Sequence, residues 1–150
     1  MSSILYQNFD LLIERNGERY RAHVTGSPSG EANTFFDLPD TTNDSHQMIG
    51  ERLFHLIFSQ EVGKCLALSW QKAQLAGTGL RLRLRIDNEA SELATLPWEL
   101  LYSPDWQRFL VLSHKTPLVR YILQTRDDPP LLVKGPLRIL VVMSAPKDFP

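Results

Sequence analysis

The sequence lacks the features that mark several large classes of protein. It has one cysteine, Cys65, which excludes an internal disulfide and fits a reducing compartment. No apolar run approaches the ~18 residues of a membrane-spanning helix, and the first residues show no signal-peptide pattern. The net charge is only -1, so charge alone attracts neither nucleic acid nor an anionic membrane. These absences predict a cytoplasmic protein without a membrane or nucleic-acid partner.

Motifs for metals and cofactors are missing as well. The four histidines form no HxxxH or HxH pair, and no CxxC occurs, so metal-ligand spacing is absent. No glycine-rich loop of the GxxxxGKS or GxGxxG type is present to hold a phosphate. Cys65 lies in GKCLALSW, a predicted helical segment, where we expect a small buried hydrophobe because a nucleophile needs a nearby base. The sequence therefore predicts no catalytic, metal-binding or cofactor-binding residue in this chain.

The composition is that of one globular domain. With 150 residues, of which 43% are hydrophobic and 22% charged, the chain can bury a core without a disulfide or a metal. Residues 9–15 and 19–25 are two strand-like runs, and Asn16-Gly17 between them is the dipeptide typical of a two-residue hairpin turn. We therefore expect a hairpin at the start of the sheet.

Two helices are predicted in the middle of the chain. Residues 43–45 (Asn, Asp, Ser) can cap a helix, and a broad apolar stripe follows over residues 48–58. A second helix is predicted over residues 60–76, with Gly77 just after it. A hairpin, two adjacent helices and later strands together predict an α/β or α+β fold with a mixed β-sheet and both helices on one face.

The clearest strand is GLRLRLRID, at residues 79–87. Its leucines face one way, and Arg81, Arg83 and Arg85 face the other. Three uses of this arginine ladder stay open: a solvated or ion-paired sheet face, pairing with acidic groups of a partner domain, and contacts with nucleic-acid phosphates. We favour the first because the protein is nearly neutral. The three arginines are nevertheless candidate interaction residues.

The block LATLPWELLYSPDWQRFLVLS holds two of the three tryptophans. LPWELL predicts a short helix or turn with Pro97 near its start, and we expect Trp98 to anchor the core. Trp106 follows a Ser-Pro-Asp turn, is expected to be more exposed, and is a candidate partner contact. Glu99 is a candidate ion-pair partner of Arg120 or of the ladder. RFLVLS and LVRYIL are predicted strands.

The last segment predicts the beginning of another structural unit. Residues 137–143 are almost continuously apolar, which is typical of a strand covered on both faces. Residues 129–136, which begin with two prolines, predict a linker. A parallel strand normally needs a crossover and a partner strand, yet the sequence stops seven residues later. We therefore expect the unit that opens at residues 137–150 to continue in a longer polypeptide.

The motifs LRLRLRID, LATLPWELLYSPDWQRFLVLS, KTPLVRYI and GPLRILVVMSAPKD, in this order, resemble the N-terminal part of CHAT-domain proteins. These are the bacterial caspase-like and separase-like cysteine peptidases. The resemblance covers nearly the whole chain, and LPWELL with its spacing to RILVV is its most specific part. It implies a caspase-like α/β sandwich that cleaves proteins with a His/Cys dyad. The family's Gly-His-Gly motif and late cysteine do not occur in this sequence, so no catalytic residue carries over.

The resemblance also implies a division of the chain and a role. Residues 1–128 would be a non-catalytic, pseudo-protease-like region, 129–136 a linker, and 137–150 the first strand of the peptidase core. The implied function is a scaffold or regulatory part of an endopeptidase acting on protein substrates in bacterial signalling or defence, with the caspase-like half as partner. The alternative is a stand-alone protein-interaction module that uses the terminal strand edge or the Trp106 loop. A nucleic-acid binder that uses the arginine ladder is the third hypothesis.

Overall fold

The computed structural model describes residues 5–39, residues 45–121 and Gly135. The strands are β1 (Tyr6–Asn16), β2 (Arg19–Gly26), β3 (Ala32–Phe36), β4 (Gly79–Ile86), β5 (Tyr102–Ser103), β6 (Arg108–Phe109) and β7 (Leu118–Arg120). The α-helices are α1 (His46–Ile57) and α2 (Gln60–Leu75), and 3-10 helices cover Asn88–Thr95, Trp98–Leu100 and Leu110–Leu112.

Five strands form one mixed sheet in the order β3-β2-β1-β4-β7. The pairs β3–β2 and β2–β1 are antiparallel, whereas β1–β4 and β4–β7 are parallel. The helices α1 and α2 carry the chain from β3 to β4, as parallel pairing requires a crossover. The short strands β5 and β6 pair separately. The predicted class, an α/β fold with a mixed sheet and two adjacent helices, is confirmed.

The β1–β2 hairpin forms where it is predicted, but its turn is shifted by one residue. Asn16 pairs with Arg19, so the two loop residues are Gly17 and Glu18 rather than Asn16 and Gly17. Gly17 has a φ of 63°, a left-handed conformation that costs glycine little. Glycine with positive φ in the first loop position is typical of a type II′ turn, whose twist matches that of the flanking strands.

Both α-helices pack on the same face of the sheet. The Ser45 hydroxyl caps α1 by accepting the Met48 N–H at 3.3 Å, and Gly77, with a φ of 67°, follows α2. Each large apolar side chain that is fully buried here stabilises the fold by about 1.5–3 kcal/mol. The shared core includes Phe9, Leu11, Ile13, Ala22, Val24, Leu53, Ile57, Val62, Leu66, Leu80, Leu82 and Leu84.

The LPWELL block closes this core, as predicted. Trp98 is fully buried and its indole N–H donates to the Leu93 carbonyl oxygen at 2.8 Å. The short 3-10 helix begins directly after Pro97. Gly50 of α1 lies so close to the carbonyl of Leu100 that a Cβ atom would overlap it. Backbone-to-backbone contact between α1 and this block therefore depends on a residue without a side chain.

The predicted pairing of Glu99 with Arg120 is present. A nitrogen of Arg120 lies 3.3 Å from a Glu99 carboxylate oxygen, and the same guanidinium donates to the Ala94 carbonyl. Because Arg120 belongs to β7, the pair joins the edge of the sheet to the segment around Trp98.

RFLVLS is mostly not the strand that its composition predicts. Only the two residues of β6 pair, with β5, and a 3-10 helix at Leu110–Leu112 follows. Gln107 has a φ of 48° in the preceding tight turn. The Leu110 N–H donates to the Leu101 carbonyl at 2.9 Å, in register with the β5–β6 pairing. The Ser113 N–H and the Thr116 hydroxyl then donate to the Leu110 carbonyl, which turns the chain away from the extended conformation. LVRYIL contains a strand at β7, and its last two residues fall outside the described part of the chain.

Other predictions concern residues that are not described. The predicted linker at 129–136, apart from Gly135, and the predicted strand at 137–143 lie outside the described residues. Across the described ranges, no helix has the length and apolar character needed to cross a membrane.

Candidate interaction surface

The five-stranded sheet has two unlike faces. On the face under the helices, alternate residues of the long strands are buried. On the other face, which we call the open face, no described side chain is fully buried. Strand pairing and alternation place on the open face Tyr6, Asn8, Asp10, Leu12, Glu14, Arg19, Arg21, His23, Asn33, Phe35, Arg81, Arg83, Arg85 and Val119.

Arg83, the middle arginine of the ladder, is neutralised. Asp10 is its neighbour across the β1–β4 pairing, and the guanidinium donates to both carboxylate oxygens, from Nη2 to Oδ2 at 2.7 Å. The Tyr121 ring lies 5.5 Å from the guanidinium carbon. The hydrogen bond to Asp10 is the main cause that raises the pKa of Arg83. Such two-pronged pairing fixes geometry as well as charge.

Two other arginines of the open face also have carboxylate partners. Arg21 donates through Nε and Nη2 to one oxygen of Glu14, the former at 2.7 Å. Arg19 donates to Asp37 at 3.1 Å. The Arg21–Glu14 pair is half-buried and the Arg19–Asp37 pair is exposed. Ion pairs near the surface contribute about 0–1 kcal/mol each, so their main consequence is local neutrality.

Arg81 and Arg85 differ from these three. Within residues 5–39 and 45–121, neither has a carboxylate partner. Arg81 lies over the Tyr6 ring, 5.1 Å from its centroid, and Arg85 is the β4 neighbour of Leu12. Both are half-buried. The open face therefore presents two unbalanced positive charges on either side of a neutral pair.

Trp106 is more exposed than Trp98, as predicted, but it is not free. Its ring packs 5.3 Å from that of Trp70 on α2, and the Arg108 guanidinium lies 5.5 Å from the ring centroid. A cavity of about 90 Å³ separates its loop from the two helices. These contacts leave less of Trp106 available to a partner than its position after a turn suggests.

The setting of Cys65 fits the predicted buried hydrophobe. The residue is 6% exposed. Its sulfur lies 3.3 Å from the Ser27 hydroxyl, which Ser69 also contacts, and 3.6 Å from the Gly30 carbonyl oxygen. Neither group is a base that would generate a thiolate. This thiol is a packing residue of α2.

The histidines are dispersed. His23 is on the open face, 4.0 Å from Glu31, whereas His46, His55 and His114 are exposed. In the part of the chain that the structure describes, no three histidine, cysteine or acidic side chains are close enough together to hold a metal ion.

A further polar cluster lies at the end of the covered face and is not foreseen from the sequence. Arg15 and Tyr20 both donate to the carboxylate of Glu92, in the 3-10 helix after β4. Arg15 also donates to the Glu89 carbonyl at 3.1 Å. The hydrogen bond from Tyr20, helped by Arg15, lowers the pKa of Glu92 to about 2. The same bond raises the pKa of Tyr20. The cluster fastens this 3-10 helix to the hairpin.

The structure thus confirms that the ladder arginines share one face but adds partners that sequence reasoning missed. The Glu14–Arg21 pair follows from the hairpin register once the loop is placed at Gly17-Glu18. The Glu14–Arg21 pair could therefore have been predicted from the sequence. The contact of Asp10 with Arg83 depends on the parallel β1–β4 pairing, for which the sequence has no local signal.

Comparisons with protein-family models, with curated proteins and with solved structures found no match for this chain. The resemblance to CHAT-domain proteins therefore rests on its sequence motifs alone. By architecture, the described chain belongs to the mixed α/β proteins, with a five-stranded sheet covered by helices on one face.

Proposed function

We propose that this chain is the non-catalytic N-terminal part of a CHAT-type cysteine endopeptidase of the cytoplasm, and that it braces a caspase-like catalytic half. The observation that carries the proposal is the arrangement of LPWELL, the most specific motif of the resemblance. Trp98 is fully buried in the shared core, and its segment packs on α1, so the motif is part of the core rather than the wall of an open site.

The environment of Cys65 supports the same assignment. A catalytic cysteine needs an imidazole or another base within hydrogen-bonding distance. The sulfur instead contacts a hydroxyl and a carbonyl, on the side of the sheet opposite His23. In the longer enzyme, thiolate and general base would both come from the catalytic half. The histidine would accept the proton of the thiol, the resulting thiolate would attack the peptide carbonyl, and the histidine would pass the proton to the leaving amine. Water would then hydrolyse the thioester and restore the thiol.

The first experiment is chemical. The purified chain and its Cys65→Ala variant are incubated with a panel of folded proteins and unstructured peptides, and products are detected by mass spectrometry. We expect no cleavage by either. Cleavage by the wild-type chain that disappears in Cys65→Ala would show that the chain is itself a peptidase and would end the proposal.

A second experiment examines the gene. The reading frame is expected to continue past Pro150 into a Gly-His-Gly motif and a later cysteine. With that longer protein expressed, replacing its late cysteine should abolish proteolysis, whereas Cys65→Ala should leave it unchanged. A reading frame that stops at Pro150 would favour the alternative function.

The alternative is a stand-alone interaction module. Two observations favour it: Trp106 keeps part of its surface exposed, and β7, the outermost strand on its side of the sheet among the described residues, has Val119 41% exposed. Native mass spectrometry of the chain, alone and mixed with a CHAT catalytic half, separates the two functions. A stable one-to-one complex supports the first, and a monomer indifferent to the catalytic half supports the second.

A further inference from the structure

We propose that the open face binds an acidic amphipathic helix of a partner protein, which lies along β4 and places carboxylates against Arg81 and Arg85. This inference does not depend on the proposed function, because it concerns a surface that any partner would meet.

The charges on the open face are unevenly balanced. Arg19, Arg21 and Arg83 each have their own carboxylate, but Arg81 and Arg85 have none within the described ranges. Arg81 is held over the Tyr6 ring, and Arg85 is half-buried beside Leu12, so both side chains are already partly restricted. Ordered cations lose less side-chain entropy on binding, and carboxylates are their complementary ligands.

The spacing of the two arginines fits a helix. Arg81 and Arg85 are four residues apart on a strand, which corresponds to about 13 Å. On an α-helix, residues eight apart are separated by about 12 Å and share a ridge along one side. Carboxylates at two such positions would therefore reach both arginines at once.

The centre of the surface suits the middle of such a helix. The neutral Arg83–Asp10 pair lies between the two arginines. Leu12, on β1, is half-exposed, and Val119, on β7 beside Arg83, is exposed. An apolar or uncharged residue midway between the two carboxylates would contact this region without leaving a charge unpaired.

Nucleic acid fits the same surface less well. Asp10 and Glu14 would bring two carboxylates close to the phosphates, and Arg83 is already occupied by Asp10. A protein helix can place uncharged side chains opposite those groups, whereas a phosphate backbone repeats its charge at every step.

The test uses the 150-residue chain and two fluorescein-labelled, 18-residue helical peptides of identical composition. One carries two glutamates eight residues apart with leucine between them. The other has them nine residues apart, which places them on opposite sides of the helix. Binding is measured by fluorescence anisotropy. We expect the first peptide to bind, and Arg81→Glu/Arg85→Glu to weaken binding about tenfold or more, since two ion pairs become two repulsions.

The matched control is Lys64→Glu/Lys72→Glu, which makes the same change of net charge on α2, and it should alter binding less than about twofold. Circular dichroism checks folding. If the glutamate variant does not fold, Arg81→Gln/Arg85→Gln replaces it and is expected to weaken binding about threefold.

Equal binding of both peptides, no binding of either at 1 mM, or equal weakening by the control would overturn the proposal. Tighter binding of a 12-nucleotide oligothymidine than of the first peptide would also overturn it.

Discussion

The two faces of the central sheet use the same strands for opposite purposes. In β4, Leu80, Leu82 and Leu84 are at most 2% exposed, while Arg81 and Arg85 on the other side are only half-buried. On the covered face, α1 and α2 pack against the apolar side chains of the strands and shield them from water. On the open face, cross-strand ion pairs neutralise Arg21 and Arg83, whereas Arg81 and Arg85 have no carboxylate partner within residues 5–39 and 45–121.

We expect the two faces to contribute differently to folding and to binding. Burial of a large apolar side chain stabilises the fold by about 1.5–3 kcal/mol, whereas an exposed ion pair contributes about 0–1 kcal/mol. Residues of the covered face should therefore determine whether the chain folds. Residues of the open face can vary at little cost to folding, so they are available for binding.

The largest expected effect contrasts the two tryptophans of the block at residues 93–113. Trp98→Ala should destabilise the protein by about 3–5 kcal/mol, because it opens a cavity and leaves the Leu93 carbonyl without its donor. Trp106→Ala, at the partly exposed ring, should cost about 1–2 kcal/mol. Urea denaturation measures both. Equal losses would mean that Trp106 belongs to the core as fully as Trp98.

Two neighbouring residues of one strand provide the next test. Leu84→Ala should cost about 2–4 kcal/mol, and Arg85→Ala less than about 0.5 kcal/mol. Because the two residues are adjacent in one strand, the difference between the two losses of stability reflects the face on which each side chain lies. If the arginine variant were destabilised as strongly as the leucine variant, the open face would have to be covered.

Gly50→Ala probes how closely α1 approaches the LPWELL block. The added methyl group would overlap the Leu100 carbonyl, and we expect a loss of about 1–3 kcal/mol from the required displacement. Gly77→Ala is a useful contrast, since no atom lies near its would-be Cβ and its cost comes from a φ of 67° alone. Thermal denaturation followed by circular dichroism distinguishes a displaced helix from a local strain.

Asp10→Asn examines the ion pairs of the open face. It leaves the half-buried guanidinium of Arg83 without its counter-charge, and the expected loss is about 1 kcal/mol. The control, Asp37→Asn, breaks the more exposed pair with Arg19 and should cost less than about 0.5 kcal/mol. The Asp10 variant should also bind acidic helical peptides more tightly, because a third cation becomes available.

The smallest effect concerns Glu92 and depends on pH. The pKa of Glu92 is about 2 in the folded protein, and its ordinary value is 4.5. The stability that the Glu92 carboxylate contributes is therefore present above pH 4.5 and is lost as the pH falls towards 2. Glu92→Gln should therefore be less stable than wild type at pH 6, and the two should converge by pH 2. A difference that is constant across this range would mean that the carboxylate charge is not what Arg15 and Tyr20 recognise.

Much of this architecture was accessible from local patterns. Alternation predicts β2 and β4 and the face each residue occupies, and an apolar stripe after three capping candidates, residues 43–45, predicts α1; the structure shows that Ser45 is the cap. The tryptophan in LPWELL was recognised as a core residue. RFLVLS is predicted as a strand because its β-propensity is high, but after Leu110 the Ser113 N–H and the Thr116 hydroxyl both donate to the Leu110 carbonyl and turn the chain.

The amino-acid sequence by itself determined both α-helices, the long strands and the division of the sheet into a polar and an apolar face, because periods of two and of about 3.6 residues are set by backbone geometry alone. Only the tertiary structure decided that β1 lies between β2 and β4. This order pairs Asp10 with Arg83 and, among the described residues, leaves Arg81 and Arg85 without a carboxylate partner. Parallel pairing joins segments about 70 residues apart, as with Asp10 and Arg83. No short-range pattern specifies it, because its free energy comes from the core that forms when the helices cover the sheet.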